Sequence, residues 1–216
     1  MKLAAVASRA ALMALLVPMA VLALMAPMAQ IAAGAGLTVT VLDRGGTAVE
    51  DAAVYAEPVS ARPPPPRGKV VEIEQKERKF APLMTVVQVG SAINFPNNDT
   101  VRHHVFSLSQ SKLFELKLYA GVPANPVVFD KAGAVIVGCN IHDKMIAYIR
   151  VVDTPWFGKT DARGQVRIDG LPDGEYRLKA WHHQLANLDV PAEQMVAARG
   201  DTPALTLRLE MKAGAR

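Results

Sequence analysis

The chain has 216 residues, of which 50% are hydrophobic and 20% charged, and its formal net charge is +4 at pH 7. This length allows one domain or two small ones. The charges are mixed along the chain, without a cluster of basic residues and interleaved aromatic residues, which excludes the usual nucleic-acid-binding surface.

The first 35 residues have the features of an export signal. Lys2 and Arg9 provide a positive start, a mostly apolar stretch covers residues 10–29, and Ala33-Gly34-Ala35 fits the small-x-small cleavage pattern. We therefore predict a cleaved signal peptide over residues 1–35 and a periplasmic location. Cleavage removes two basic residues and no acids, so the net charge falls to +2. An uncleaved membrane anchor is the alternative, since a span needs ~20 apolar residues, and only that form would contact a membrane.

The segment after the signal predicts two strands and then a boundary. Hydrophobic residues alternate over residues 37–41 and 52–56, with the turn Asp43-Arg44-Gly45-Gly46 between them. Four prolines at 63–66 then fix an extended conformation that cannot pair in a sheet. We expect this stiff spacer to separate two domains.

Residues 69–153 contain many short hydrophobic runs separated by turns with Pro or Gly. This pattern, with no amphipathic helix of useful length, favours a β-sandwich. The strands that it predicts cover residues 69–74, 83–89, 91–95, 101–108, 127–129, 134–139 and 145–152.

Residues 154–212 predict further strands, at 165–168, 175–181 and 204–211. Residues 37–60 have too few strands to form a sandwich, and residues 154–212 lack a first pair of strands. We therefore predict that the two segments pair with each other, because a short β-segment alone cannot bury enough core.

His182 and His183 follow the predicted strand at 175–181. We expect them in a surface turn, not in a metal site, because adjacent strand residues point to opposite faces.

The only cysteine lies in the segment Gly138-Cys139-Asn140-Ile141-His142-Asp143-Lys144-Met145. An unpaired cysteine in an exported protein indicates a reactive thiol, an intermolecular disulfide or a metal ligand. A thiolate, an imidazole and a thioether are ligands of mononuclear copper sites that transfer electrons. A loop this short can bring Cys139, His142 and Met145 to one point, which predicts such a site.

The copper site needs a second histidine, and the chain offers the pair His103-His104. Val101, His103 and Val105 share one face of the predicted strand, which favours His103 as the ligand. His104 stays open as the alternative.

These segments resemble the cupredoxins, the small blue-copper proteins. The resemblance covers residues 69–152 and lies in the Cys-x2-His-x2-Met loop, in His103-His104-Val105 and in Phe129-Asp-Lys-Ala-Gly133. It implies a Greek-key β-sandwich over residues 69–153 that holds one type 1 copper ion by His103, Cys139, His142 and Met145. It further implies a non-enzymatic electron carrier whose partner is a redox protein, such as a cytochrome or a dehydrogenase. Exported proteins of the methylamine utilisation type are similar in the same stretch.

The flanking segments resemble a carboxypeptidase regulatory-like domain. The motifs are Val49-x-Asp-Ala-x-Val54, Thr160-Asp-x-x-Gly164 and Leu171-Pro-x-Gly174-x-Tyr176-x-Leu178. The resemblance implies a transthyretin-like, seven-stranded and mostly non-catalytic sandwich, made here from residues 37–60 and 154–212. The expected fold is therefore all-β with two sandwiches after the signal peptide.

Two other functions remain open from the sequence. The chain fits a non-redox binding or scaffolding protein if the cysteine is incidental. It also fits a copper carrier or a catalytic copper site with an open coordination position. Met145 argues against the catalytic site, because an axial methionine fills the position that a substrate would need.

Overall fold

The computed structural model describes residues 35–65, 70–200 and 203–214. No helix occurs in these ranges, which confirms the predicted all-β class. The strands in chain order are β1 Ala35–Asp43, β2 Ala53–Pro58, β3 Val71–Glu72, β4 Glu74–Lys76, β5 Lys79–Ala81, β6 Met84–Gln88, β7 Ser91–Asn94, β8 His103–Ser109, β9 Lys112–Tyr119, β10 Val127–Phe129, β11 Gly133–Cys139, β12 Ile146–Val152, β13 Phe157–Lys159, β14 Gln165–Leu171, β15 Gly174–Trp181, β16 Ala192–Ala198 and β17 Leu205–Leu209.

The first two strands and the last five form what we call the outer sandwich. One sheet has the order β14-β1-β17 and the other the order β13-β2-β15-β16. β1 pairs with β14 antiparallel and with β17 parallel, and β2 pairs antiparallel with β13 and β15. The expected pairing of the first strands with the last segment is therefore present in the structure.

The alternation of the sequence explains why the outer sandwich has one core. In β15 the side chains of Tyr176, Leu178 and Ala180 are buried, and the residues between them face outward or are partly covered. Residues of β1, such as Leu37 and Val39, belong to the same buried cluster. Apolar side chains from both sheets thus leave water together, which is the main force that stabilises such a pair of sheets.

The strands between residues 71 and 152 form what we call the central sandwich. A five-stranded sheet has the order β6-β12-β11-β8-β9 and a three-stranded sheet the order β10-β7-β3, while β4 and β5 make a separate hairpin. The core contains Phe95 and Phe129, which are fully buried. Phe114 of β9 stacks on Phe95 with ring centroids 5.6 Å apart.

The two sandwiches meet along β6 and β12, at a contact that we call the junction. Met84 and Val152 belong to the central strands but are buried in the core of the outer sandwich. The ring of Tyr148 stacks on His183, with centroids 4.3 Å apart. Near the junction the amide of Gln88 donates a hydrogen bond of 2.6 Å to the carbonyl of Pro64 in the proline-rich segment.

The histidine pair after β15 departs from its prediction. His182 lies in a turn, but it is only 5% exposed, and its ring centroid is 4.2 Å from that of His183. The expectation of a surface position is wrong for His182. The two rings also lie side by side instead of on opposite faces, because β15 ends at Trp181 and strand alternation stops there.

The predicted export signal lies outside the described residues, except for Ala35, which begins β1. Within the described ranges, no helix is long and apolar enough to cross a membrane. The domain boundaries proposed from the sequence remain predictions.

Candidate metal centre

Cys139 is the last residue of β11, and the loop after it is closed by backbone hydrogen bonds. The amide of Cys139 donates to the carbonyl of Met145 at 3.1 Å, and the amide of Met145 donates to the carbonyl of His142 at 2.9 Å. The amide of Asn140 donates to the carbonyl of His104 on β8 at 3.0 Å. The loop is therefore tied to itself and to the strand that carries the histidine pair.

The structure brings His103, Cys139 and His142 together. The sulfur of Cys139 lies 3.7 Å from Nδ1 of His103 and also 3.7 Å from Nδ1 of His142. One ligand atom from each of the three residues lies within 4.8 Å of the other two. Among the described residues, no other group of three histidine, cysteine, aspartate or glutamate side chains meets this criterion.

The two sulfur–nitrogen distances are compatible with a metal ion bound between these atoms. Bonds of about 2.0 Å to nitrogen and about 2.3 Å to sulfur, at angles between tetrahedral and trigonal, place the two ligand atoms roughly 3.5–3.7 Å apart. Both sulfur–nitrogen separations in the structure are 3.7 Å. The donor set of two imidazoles and a thiolate fits a copper ion, for which soft sulfur suits the reduced state and imidazole suits both states.

Met145 ends the loop that carries Cys139 and His142. Its side chain is 1% exposed, and it lines, together with Cys139, an apolar surface groove of about 540 Å³. The predicted position of the thioether at the same site as the thiolate is therefore compatible with the structure.

The two adjacent histidines of β8 have different surroundings. His103 is fully buried and joins the cluster, whereas His104 faces outward and pairs with Glu115 of β9 at 2.8 Å. The side chains of β8 thus alternate as the sequence predicts, with His103 on the buried face and His104 on the outer face. The side chain of His104 contributes no ligand atom to the cluster, and only its backbone carbonyl joins the two ligand segments.

The other ring nitrogen of His103 contacts a carboxylate that the sequence did not single out. Nε2 of His103 lies 2.7 Å from Oδ2 of Asp99. The backbone amides of Glu77 and Arg78 donate to Oδ1 and Oδ2 of the same carboxylate at 2.6 and 2.9 Å. The i,i+4 spacing of Asp99 and His103 is the signal in the sequence that could have indicated this contact.

The hydrogen bonds to Asp99 keep its carboxylate ionised. Desolvation raises the pKa of Asp99, but the hydrogen bonds from the Arg78 amide, the His103 ring and the Glu77 amide together outweigh it, so the pKa lies below its usual value. An ionised carboxylate has no proton to donate. Nε2 of His103 therefore faces an acceptor, whereas Nδ1 faces the sulfur of Cys139.

The chain is similar to solved structures only over a part of its length. It matches no family model and no curated protein. A purple cupredoxin from Nitrosopumilus maritimus is 19% identical over 38% of this chain and 98% of its own, with a TM-score of 0.33. A reduced amicyanin mutant is 19% identical over 45% of this chain and 98% of its own, with a TM-score of 0.35.

A copper-containing nitrite reductase from Thermus scotoductus is also similar, at 22% identity over 44% of this chain, with a TM-score of 0.37. The similarity spans only 25% of the reductase chain. Because all three TM-scores lie below 0.5, neither fold nor function is inferred from these similarities.

Proposed function

We propose that this chain is an exported copper protein that transfers single electrons, with His103, Cys139, His142 and Met145 as ligands of one type 1 copper ion. The observation that carries the proposal is the pair of equal 3.7 Å separations between the Cys139 sulfur and the two Nδ1 atoms. When bound there, copper supplies a one-electron couple between Cu(II) and Cu(I).

The strand and the loop hold the proposed ligand atoms close together. β8 fixes His103, and the hydrogen-bonded loop fixes Cys139 and His142. Ligands held in one geometry need little rearrangement when the charge of the metal changes. His103, Cys139 and Met145 are buried, which limits the access of water to three of the four proposed ligands.

We infer that electrons enter and leave at His142. This residue is partly exposed, whereas the other three proposed ligands are buried. Ile141 precedes it in the chain and is 47% exposed, and Ile146 at the start of β12 is 37% exposed, so we propose these two side chains as its apolar docking surface. Weak redox encounters use interfaces below ~1,200 Å², which such a surface fits. Asp143 and Lys144 beside it would orient the partner.

The partner that this surface fits is another redox protein, such as a cytochrome or a dehydrogenase. We propose no catalytic role for the chain, because the thioether of Met145 would take the coordination position that a substrate needs. The location in the periplasm rests on the sequence of residues 1–35 alone.

The outer sandwich is proposed to be a carboxypeptidase regulatory-like domain of residues 37–60 and 154–212, into which the central sandwich, residues 69–153, is inserted. Its seven strands in two sheets support this assignment. Its proposed role is to support the central sandwich at the junction.

Copper titration tests the proposal. Cu(II) added to the purified protein should give an intense thiolate-to-copper absorption band that saturates at one equivalent. Cys139→Ala should abolish the band, while Asn140→Ala, next to it in the chain, should retain it because the Asn140 backbone contact is unchanged. A band that survives in Cys139→Ala would refute the assignment.

Redox cycling separates an electron carrier from a copper carrier. The bound copper should be reduced and reoxidised by small mediators with no change in metal content. Loss of copper to a chelator at each reduction step would instead support a copper carrier.

A further inference from the structure

The turn between β4 and β5 contacts the carboxylate of Asp99, and this carboxylate contacts the proposed ligand His103. Glu77 and Arg78 form a two-residue hairpin loop, and both have positive φ, at 54° and 57°. Such loops usually contain Asn or Gly, because other residues are strained in this conformation. In this conformation both amides donate to Asp99.

Asp99 is held in one orientation from several sides. Its own amide donates to Oδ1 of Asn97 at 3.0 Å. The amide nitrogen of the Asn97 side chain donates to the carbonyls of Val101 and Tyr119 at 2.9 and 2.8 Å. The loop that leads into β8 is therefore pinned, and the Asp99 carboxylate has little freedom to move away from His103.

We propose that Asp99, clamped by the Glu77–Arg78 turn, is a positioning residue that fixes His103 in the tautomer and orientation needed to bind copper and lowers the reduction potential of the site. This inference rests on the proposed copper function. Asp99 does not contact the ligand atoms of the cluster and acts only through the imidazole.

The physical argument has two steps. First, a carboxylate that accepts the Nε2 proton leaves Nδ1 as a lone-pair donor that lies 3.7 Å from the Cys139 sulfur. Second, a negative charge at the far side of the ring makes the imidazole a stronger donor, as carboxylates behind metal-bound histidines do. A stronger donor favours Cu(II) over Cu(I), because the more highly charged ion gains more from it.

A second histidine–carboxylate pair next to His103 provides a control for the substitution of Asp99. His104 and Glu115 also form a histidine–carboxylate pair, with Nε2 to Oε1 at 2.8 Å, but His104 is outside the cluster. Glu115→Gln therefore removes one negative charge close to the centre without changing a group bonded to a proposed ligand. Asp99→Asn removes the same charge behind His103.

The first test uses metal-free wild-type protein and does not depend on copper binding. Nitrogen-15 NMR of the His103 ring should show the proton on Nε2. A proton on Nδ1 would overturn the proposal, whether or not the protein later binds copper. If Asp99→Asn does not fold, this measurement decides by itself.

The second test compares the two variants with copper bound. Asp99→Asn should weaken Cu(II) binding about 10- to 100-fold, as is usual for loss of a carboxylate behind a metal-bound histidine, and bind Cu(I) with less change. A tenfold loss confined to Cu(II) raises the reduction potential by about 59 mV. Glu115→Gln should change Cu(II) affinity less than twofold.

Equal effects of the two substitutions would overturn the proposal, because they would reduce the role of Asp99 to general charge. A wild-type protein that gives no thiolate-to-copper band would refute the proposed function instead, and the tautomer measurement would still decide the role of Asp99.

Discussion

Arg150 of β12 donates a hydrogen bond of 2.7 Å to the hydroxyl of Tyr55 on β2, which connects the central sandwich to the outer one. The guanidinium carbon lies 5.4 Å from the Tyr55 ring centroid and 5.5 Å from that of Trp181. Tyr55 and Trp181 are buried, so the cation sits among aromatic side chains at the junction. Nε of Arg150 is buried without a hydrogen-bond partner, which leaves the hydroxyl of Tyr55 as an important acceptor.

We expect Tyr55→Phe to destabilise the protein by roughly 1.5–3 kcal/mol, the usual range for a hydrogen bond to a charged group. Arg150→Met should cost less, because a neutral Tyr55 hydroxyl that has lost its donor is less costly to bury than a cation that has lost its acceptor. Urea denaturation of the metal-free variants measures both. The control is Tyr176→Phe, whose hydroxyl donates to the neutral carbonyl of Pro172, with an expected loss of about 0.5–1.5 kcal/mol. A larger loss for Arg150→Met than for Tyr55→Phe would contradict this account.

The two adjacent histidines of β8 should respond differently to substitution. His103→Ala should abolish the thiolate-to-copper band or weaken copper binding at least 100-fold, since it removes one ligand atom of the cluster. His104→Ala should bind copper nearly as the wild type does, because only its backbone carbonyl contacts the loop. Copper titration of the two variants makes the comparison. Loss of the site in His104→Ala alone would show that the ligand register is off by one residue.

Substitution of Met145 should separate packing from coordination. Met145→Leu keeps about the same volume in a buried position, so we expect a loss of stability below about 1.5 kcal/mol. The thiolate-to-copper band should persist with a changed wavelength and intensity, because the axial thioether modulates the site and the thiolate produces the band. Denaturation and absorption spectra of the same variant test both parts. A spectrum identical to that of the wild type would remove Met145 from the ligand set.

The sequence predicted the parts of the structure that depend on alternation and short-range spacing. His103 could be chosen over His104 because β8 buries every second side chain, and the loop from Cys139 to Met145 is short enough for its spacing to limit its geometry. The long strand β9 and the edge strand β16 were not predicted. The sequence of β16 is rich in alanine and gives little alternation, so its position depends on pairing with β15.

Contacts between distant segments could not be predicted in the same way. Glu77 and Arg78 are not residues that indicate a tight hairpin turn, and their positive φ values are stabilised by the carboxylate of Asp99, over 20 positions away. The burial of His182 likewise depends on how the turn after β15 packs. Such features follow from tertiary structure, which a local pattern does not encode.

His182 should make the stability of the metal-free protein depend on pH. Burial, followed by the charge of His183, lowers the pKa of His182 from 6.5 to about 4. The ring accepts a hydrogen bond of 3.2 Å from the amide of Gln184, which requires an unprotonated Nδ1. The folded state therefore binds a proton less readily than the unfolded state does. Stability from this group is fully present above pH 6.5 and is lost as the pH falls from there towards 4.

The expected loss from His182 between pH 7.5 and 4.5 is roughly 2–3 kcal/mol. Urea denaturation at the two pH values, in wild-type protein and in His182→Gln, isolates it. Glutamine does not titrate and offers an acceptor for the Gln184 amide, so the variant should lose less stability than the wild type over this range. Acid-sensitive groups that do not interact with His182 affect both proteins alike and cancel in the comparison. The pKa of His183 is also lowered by burial, and because its charge acts on His182, the difference between the two proteins measures the two histidines as a coupled pair. Equal losses in the two proteins would show that His182 takes up its proton in the folded state without cost.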